Sequence, residues 1–406
     1  MARIVVLGSH VSSLVNFRGR MIERMVAEGH DVIGCAPGRS ERVEQGLERL
    51  GARYFPVKLS RTGLSLAADL ASLIDLIRVF RRLKPAAVFS YTIKPVVYGS
   101  IAALLAGVPE IYSMITGLGY TFLGTTWKQR ILNAIVKPLY RAALGLNRGV
   151  FFQNEDDANL FVEQGLVARA KVTITGGSGV DLAHFPVEPL PKPPARFLMC
   201  ARILVEKGVR EYIEAAGILK RRYPDAQFDY LGPFDVDNPA GVSESQVNAW
   251  NRGGQVRFHG PATDVRPFFR ACNVFVLPSY REGTPRTVLE AAAMGRPVIT
   301  TDGPGGCRQT VRPGETGFLV PVKDSAALAR AMERFIAQPE LIGKMGAAGR
   351  RYMEEKFDVR RVNQTIVDAM GLNSRRVSRV VDFWPERRGR ALRRPALVPA
   401  LSSRIQ

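Results

Sequence analysis

The stretch NVFVLPSYREGTPRTVLE at 273–290 decides the fold. Its first half, NVFVLPSY, is an apolar run that reads as a strand buried in a parallel sheet. Its second half opens a helix. Thr284 is expected as the N-cap, Pro285 as the first helical residue, and Gly295 as the terminator. Two carboxylates flank this strand-to-helix corner, Glu282 in the loop and Glu290 about a turn and a half into the helix. Open α/β sheets bind ligands at such corners, beyond the carboxyl ends of their strands.

On either side of this stretch, strands alternate with helices along the chain, which predicts parallel sheets covered on both faces. In the first unit Ile4–Leu7 is a strand, Gly8–Ser13 a loop, Leu14–Glu28 a helix closed by Gly29, and Asp31–Cys35 the next strand. Further strands are expected near 53–57, 86–90, 110–114, 149–153 and 171–175. PVEPLPKPP (186–194) then places five prolines in nine residues, a stiff extended linker. The alternation restarts at RFLMC (196–200), with strands near 226–231, 255–259, 273–277, 297–301 and 317–320. The expected fold class is α/β: two facing, doubly wound, Rossmann-like domains with a cleft between them. Residues 1–185 form the first domain, 186–195 the linker and 196–355 the second domain. A terminal helix at 356–371 is capped by Asp358 and carries Val359, Val362 and Ile366 on its apolar side. Residues 372–406 are expected to be a largely disordered basic tail.

The 406 residues carry a net charge of +20, unevenly spread. Residues 1–185 hold 22 Lys and Arg against 14 Asp and Glu, and the last 35 residues hold nine arginines against two acids. An anionic membrane surface or a phosphorylated substrate suits such a chain. No nucleic-acid-binding motif or aromatic-basic stacking platform is present, so no nucleic acid partner is expected. The four cysteines, Cys35, Cys200, Cys272 and Cys307, are scattered without CxxC spacing, which fits reduced structural thiols and no metal site. The opening ARIVVLG runs straight into a strand, so no secretory leader is expected. No apolar stretch reaches the roughly 20 residues needed to span a bilayer, which suggests a cytoplasmic chain, soluble or peripheral on the membrane.

Two loops bear on chemistry. GSHVSS (8–13) lacks the later glycines of a dinucleotide fingerprint, which argues against a nicotinamide or flavin cofactor. ARILVEKG (201–208) sets Arg202 and Lys207 just past a strand, ahead of a helix starting near Gly208. Two fixed cations there would neutralise the charge that grows on a leaving diphosphate. A carboxylate facing sugar hydroxyls, beside a helix N-terminus suited to phosphate, describes a nucleotide-sugar site.

Glu282 with Glu290, Arg202 with Lys207, and the turn GSGVD (177–181) together resemble glycosyltransferase family 4, of the GT-B fold. The resemblance spans about residues 3–371. It extends to the bacterial branch acting on undecaprenyl-diphosphate-linked sugars through SRTG (60–63), YTIKP (91–95), TGLGYTF (116–122), FFQNEDD (151–157), LGPFDVDNP (231–239) and TDGPGGCRQ (301–309). It implies a retaining, metal-independent transferase without a cofactor, whose second domain binds a nucleotide sugar, most naturally UDP-linked. On that resemblance Glu282 lies near the reacting centre, Glu290 holds the ribose, Arg202 and Lys207 bind the donor diphosphate, and Gly283 and Thr284 complete the donor loop. Two departures stand out: Gln309 and Thr116 occupy positions where relatives carry acidic residues.

An acceptor with a polyprenyl diphosphate needs cations in the first domain. Arg18, Arg61 and Lys94 lie just past expected strand ends and are candidates, with Gly117 and Gly119 of the TGLG segment. The stretch TTWKQRILNAIVKPLYRAAL (125–144) has Ile131, Leu132, Ile135, Val136, Leu139 and Tyr140 at helical spacing and Lys128, Arg130, Lys137 and Arg141 beside them. It fits a helix lying on the cytoplasmic membrane, although a core helix shows the same apolar pattern, with Pro138 expected to kink or split it. Two other readings compete: a nucleotide-sugar 2-epimerase of the same fold, and a non-catalytic basic scaffold for lipid or nucleic acid.

Overall fold

The computed structural model describes residues 1–60, 65–118, 127–235, 238 and 240–373. The first sheet has seven parallel strands: β1 Arg3–Leu7, β2 Asp31–Ala36, β3 Arg53–Pro56, β4 Ala87–Tyr91, β5 Glu110–Ile115, β6 Gly149–Phe152 and β7 Val172–Ile174, in the order β3-β2-β1-β4-β5-β6-β7. The second has six: β8 Arg196–Cys200, β9 Gln227–Leu231, β10 Arg257–Phe258, β11 Val274–Leu277, β12 Val298–Thr301 and β13 Gly317–Val320, in the order β10-β9-β8-β11-β12-β13. Both sheets are parallel throughout, and β1, β4, β8 and β11 are apolar along most of their length because helices cover both faces. Each strand order reverses direction beside the first strand of its domain. That switch point opens a crevice at the carboxyl ends.

Three local expectations need correction. The first helix is two: Val11–Asn16, starting inside the expected loop, and Gly19–Ala27. The break falls at Phe17 and Arg18, where Arg18 leaves helical geometry (φ −120°, ψ −3°) and turns its side chain over the Tyr91 ring. The helix Trp127–Gly145 is not split at Pro138, which lies inside it. Pro138 and Ala134, whose carbonyl loses its usual donor, are both exposed, so water can take that carbonyl. The helix after β11 begins at Arg286, with Pro285 as an extended N-cap (φ −72°, ψ 109°). Thr284 does not cap it, because its hydroxyl donates to the Gln153 carbonyl at 3.0 Å.

The chain crosses between domains twice. The Pro-rich linker is pinned to the second domain by the fully buried Arg296, which donates to the carbonyls of Phe269, Glu188 and Pro189, each at 2.8 Å. The return crossing passes the 177–181 turn, where Val180 and Phe357 are joined backbone to backbone at 2.8 Å. The helix Val359–Ala369 then packs on the first domain. Val362, Ile366, Val367, Met370 and Leu372 join the core of Ile4, Val6, Met21 and Ile22. His30 bonds the Leu372 carbonyl at 2.7 Å, so Leu372 belongs to this packing, while residues 374–406 of the expected tail lie outside the described residues.

This return helix is therefore structural. We expect Ile366→Ala to lower unfolding free energy by about 2–5 kcal/mol, the usual range for a buried Ile-to-Ala change. Val187→Ala, at a 60% exposed linker position, should change it by less than about 0.5 kcal/mol. Urea unfolding followed by circular dichroism compares the two.

Candidate active site

The loops beyond β8 and β11 meet in the cleft. Gly208 makes their contact possible: at φ +79° it lies so close to Pro278 that a β-carbon would come within 2.2 Å of that carbonyl oxygen. The backbone N–H of Tyr280 donates to the Glu206 carbonyl at 2.9 Å. This contact brings Lys207 and Glu282 together as an ion pair, both side chains mostly buried. Ser279 donates a second bond to the same carboxylate oxygen, at 2.7 Å. Two expected site residues thus converge from separate motifs.

Arg202 does not join them. It pairs with Asp235, beyond β9, and stays half exposed. Glu290 lies along the helix from the ion pair, in the wall of an interdomain cavity of about 630 Å³ lined also by Asn16, Ser178, Asp264, Arg286 and Thr287. Burial raises the pKa of Glu290, opposed by Arg286 at 2.8 Å. Arg286 also donates to the Asn16 carbonyl at 2.6 Å and covers the Phe17 ring, tying this helix to the first domain. Another cavity, of about 460 Å³, lies under the linker beside Ala195, Ala226 and Asn273. Those residues precede β8, β9 and β11, so it is at the opposite end of the sheet from the cleft.

Gly283 and Thr284 sit where the domains touch. A β-carbon on Gly283 would come within 2.3 Å of the Thr116 carbonyl oxygen and 2.7 Å of Gln153 Oε1. Thr284 N–H donates to Gln153 Oε1 at 3.1 Å, and Asn154 Nδ2 donates to the Gly283 carbonyl at 2.7 Å. Arg281 forms a 2.5 Å ion pair with Asp157, and Asp156 accepts from Gly305 N–H and Arg308, each at 2.6 Å. FFQNEDD, noted in the sequence only as a point of resemblance, is therefore the first domain's side of the cleft. Its register gave the signal: five polar residues, Gln153 to Asp157, directly follow β6, at the carboxyl end of its sheet.

The acceptor candidates are scattered. Arg18 is buried, stacks 4.9 Å from the centre of the Tyr91 ring and donates to Ser178 Oγ at 3.3 Å. No carboxylate pairs with it among the described residues. Burial, with Arg286 nearby, brings its pKa down to about 10 although the Tyr91 phenol favours the charge. Lys94 is already neutralised by Asp69 at 2.7 Å. Gly117 packs against Gly283, its missing β-carbon 3.4 Å from that N–H. Arg61 and Gly119 lie outside the described residues. Of the two departures, Thr116 contributes its carbonyl to the Gly283 contact, and the Gln309 carbonyl accepts from Tyr352 at 2.8 Å.

In the helix Trp127–Gly145, Val136 and Tyr140 are buried in the first domain and Ile135 is 45% exposed; the side chains of 127–132 lie outside the described residues. No helix among the described residues is long and apolar enough to cross a membrane. Nor does any group of three His, Cys, Asp or Glu among them have the arrangement to hold a metal ion.

Residues 181–352 match the family model of the glycosyl transferases of group 1, and residues 15–177 match the glycosyl transferase 4-like domain. The chain is 26% identical over 352 residues to an N,N'-diacetylbacillosaminyl-diphospho-undecaprenol alpha-1,3-N-acetylgalactosaminyltransferase of Campylobacter jejuni, covering 84% of this chain and 90% of that one. It is 25% identical over 295 residues to a UDP-Gal:alpha-D-GlcNAc-diphosphoundecaprenol alpha-1,3-galactosyltransferase of Escherichia coli, covering 70% and 74% respectively. In fold it is similar to a sucrose-phosphate synthase of Thermosynechococcus elongatus, with a TM-score of 0.74 at 18% identity over 94% of this chain and 99% of that one. Two parallel Rossmann-like sheets facing a cleft, with matched models over both halves, place this chain in the group 1, family-4-like glycosyltransferases of GT-B fold.

Proposed function

We propose that this glycosyltransferase moves a hexose or N-acetylhexosamine from a UDP-linked donor to an undecaprenyl-diphosphate-linked saccharide, with retention of anomeric configuration. The observation that carries the reading is the Lys207–Glu282–Ser279 cluster at the mouth of the cleft, with the buried carboxylate of Glu290 in the helix that follows Glu282. A diphosphate entering here competes with Glu282 for the Lys207 ammonium. That exchange frees the Glu282 carboxylate to face the sugar. Arg202, half exposed, has room to swing from Asp235 onto the same diphosphate. Glu290 is placed to accept from ribose hydroxyls. Gly283 and Thr284 shape the floor beneath the sugar.

In this reading the bond from the anomeric carbon to the diphosphate oxygen breaks, and the oxygen leaves with the electron pair. The acceptor hydroxyl forms the new bond from the same face and passes its proton to that phosphate oxygen. Lys207 and Arg202 stabilise the charge that develops there. The printed substrates of the Campylobacter and Escherichia relatives, both sugar-diphosphoundecaprenols, support the acceptor class, and the UDP-Gal of the second supports the donor class. Arg18 is the strongest acceptor-side cation, because it is buried without a carboxylate partner among the described residues and an anion would supply one. Arg61, Lys94 and the Gly117–Gly119 segment complete the proposed acceptor side. A lipid-linked acceptor also requires the membrane surface, for which Ile135 with its basic neighbours and the arginine-rich tail are the proposed contacts.

We expect Lys207→Ala and Glu282→Gln each to lower turnover by about 10²- to 10³-fold while leaving the circular dichroism spectrum unchanged. The assay is transfer of radiolabelled sugar from a UDP-sugar panel into organic-extractable lipid. Turnover within twofold of wild type would refute these roles, and donor isomerisation at C2 without acceptor would favour an epimerase. Removing residues 374–406 should reduce flotation with anionic liposomes while sparing activity on detergent-dispersed acceptor. Unchanged flotation would remove the tail from the membrane contact.

A further inference from the structure

Glu282 is held by both domains at once. Its carboxylate is fixed from the second domain by Lys207 and Ser279, but its backbone neighbours on either side are gripped by the first. Before it, Arg281 pairs with Asp157 at 2.5 Å. After it, Asn154 holds the Gly283 carbonyl at 2.7 Å and Gln153 brackets Thr284 through two bonds of 3.1 and 3.0 Å. Asn154 also caps the helix Glu155–Glu163, accepting from Asp157 N–H at 2.8 Å and donating to its carboxylate at 3.0 Å. The cap orients Asp157, so the grip is rigid on the first domain's side. The pair is deeply desolvated, with Asp157 1% and Arg281 12% exposed. A lone charge left in such a place is costly, so the two members favour each other strongly over separation. Asp156 adds a second hold on the neighbouring loop through Gly305 and Arg308.

We propose that the segment Gln153–Asp157 of the first domain is an interdomain clamp that positions Glu282, and that the Asp157–Arg281 pair makes turnover depend on cleft closure. Opening the cleft breaks the contacts of Arg281, Gly283 and Thr284 but leaves the Lys207–Glu282 pair within the second domain. Donor capture by the second domain therefore survives opening, whereas the geometry for transfer does not. Gln153, Asn154 and Asp157 are positioning residues; they act through the loop and not on the sugar. The inference rests on the proposed role of Glu282.

The test uses the full chain with reporter labels at Gln45→Cys and Lys344→Cys, exposed positions one in each domain; the four native cysteines are buried. Distances between labels are measured in the donor-free protein, and kinetics with the UDP-sugar and lipid-linked acceptor, for Asp157→Asn, Arg281→Gln, the double variant and Arg281→Lys. Asp157→Asn and Arg281→Gln should lengthen or broaden the distance and lower kcat about 10- to 100-fold, with donor KM within threefold. The double variant should lose much less than the product of the two single losses, and Arg281→Lys should recover most of kcat. An unchanged distance in both single variants would overturn the clamp. A longer distance with wild-type kcat would overturn its control of turnover. The distance measurement assumes no substrate, so it judges the clamp even if the transferase reading fails; should Asp157→Asn not fold, Arg281→Gln, outside any helix or strand, carries the same two readouts.

Discussion

The cleft depends on one steric constraint: at Gly283 there is no room for a side chain. Thr116 and Gln153 of the first domain close over that residue so tightly that any β-carbon would collide with them. The four-residue loop Arg281–Thr284 can therefore belong to two domains at once. Arg281, Gly283 and Thr284 are held across the cleft, while the Glu282 side chain turns back to Lys207. On the other side Gly208 lets the β8 loop approach the same corner. The ion pair at the centre is thus a product of two close backbone approaches, each available only to glycine.

Much of this was legible in the sequence. Apolar runs such as RFLMC and GFLV marked strands with little error, because a strand buried on both faces needs nearly every residue apolar. Lys207 and Glu282 were each readable as residues just past a strand end, and their convergence follows from parallel neighbours, β8 and β11, that deliver both loops to one edge. What local patterns could not show was the cross-domain pairing. Asp157 and Arg281 are 124 residues apart, and nothing in the periodicity of either segment refers to the other. For the same reason Thr284 looked like an N-cap: its hydroxyl was free to cap until a distant Gln153 carbonyl claimed it. The split of the first helix at Arg18 was equally hidden, since the ring that Arg18 covers, Tyr91, lies 73 residues on at the end of β4.

The distribution of charge acquires meaning in the same way. Lys94 and Arg18 looked alike in sequence, each a cation in the first domain with no partner evident from its neighbours. In the folded chain Lys94 meets Asp69 and is neutralised, whereas Arg18 is buried against an aromatic ring and a hydroxyl, with a second arginine close by. A solvated surface cation needs no partner; a buried one does. That contrast, and not the net charge of +20, is what makes Arg18 the proposed acceptor-side cation.

The corner from Glu282 to Glu290 is proposed to receive a nucleotide sugar. Thermal-shift titration with UDP, GDP, ADP, dTDP and a panel of their sugars tests it most directly, because a ligand that binds only the folded chain at 100 times its Kd adds about 2.7 kcal/mol of stability. A selective rise in Tm with UDP and one UDP-sugar, weakened by Glu290→Gln, is the expected result. No rise with any nucleotide, with or without a lipid-linked acceptor present, would contradict a donor site in this cleft.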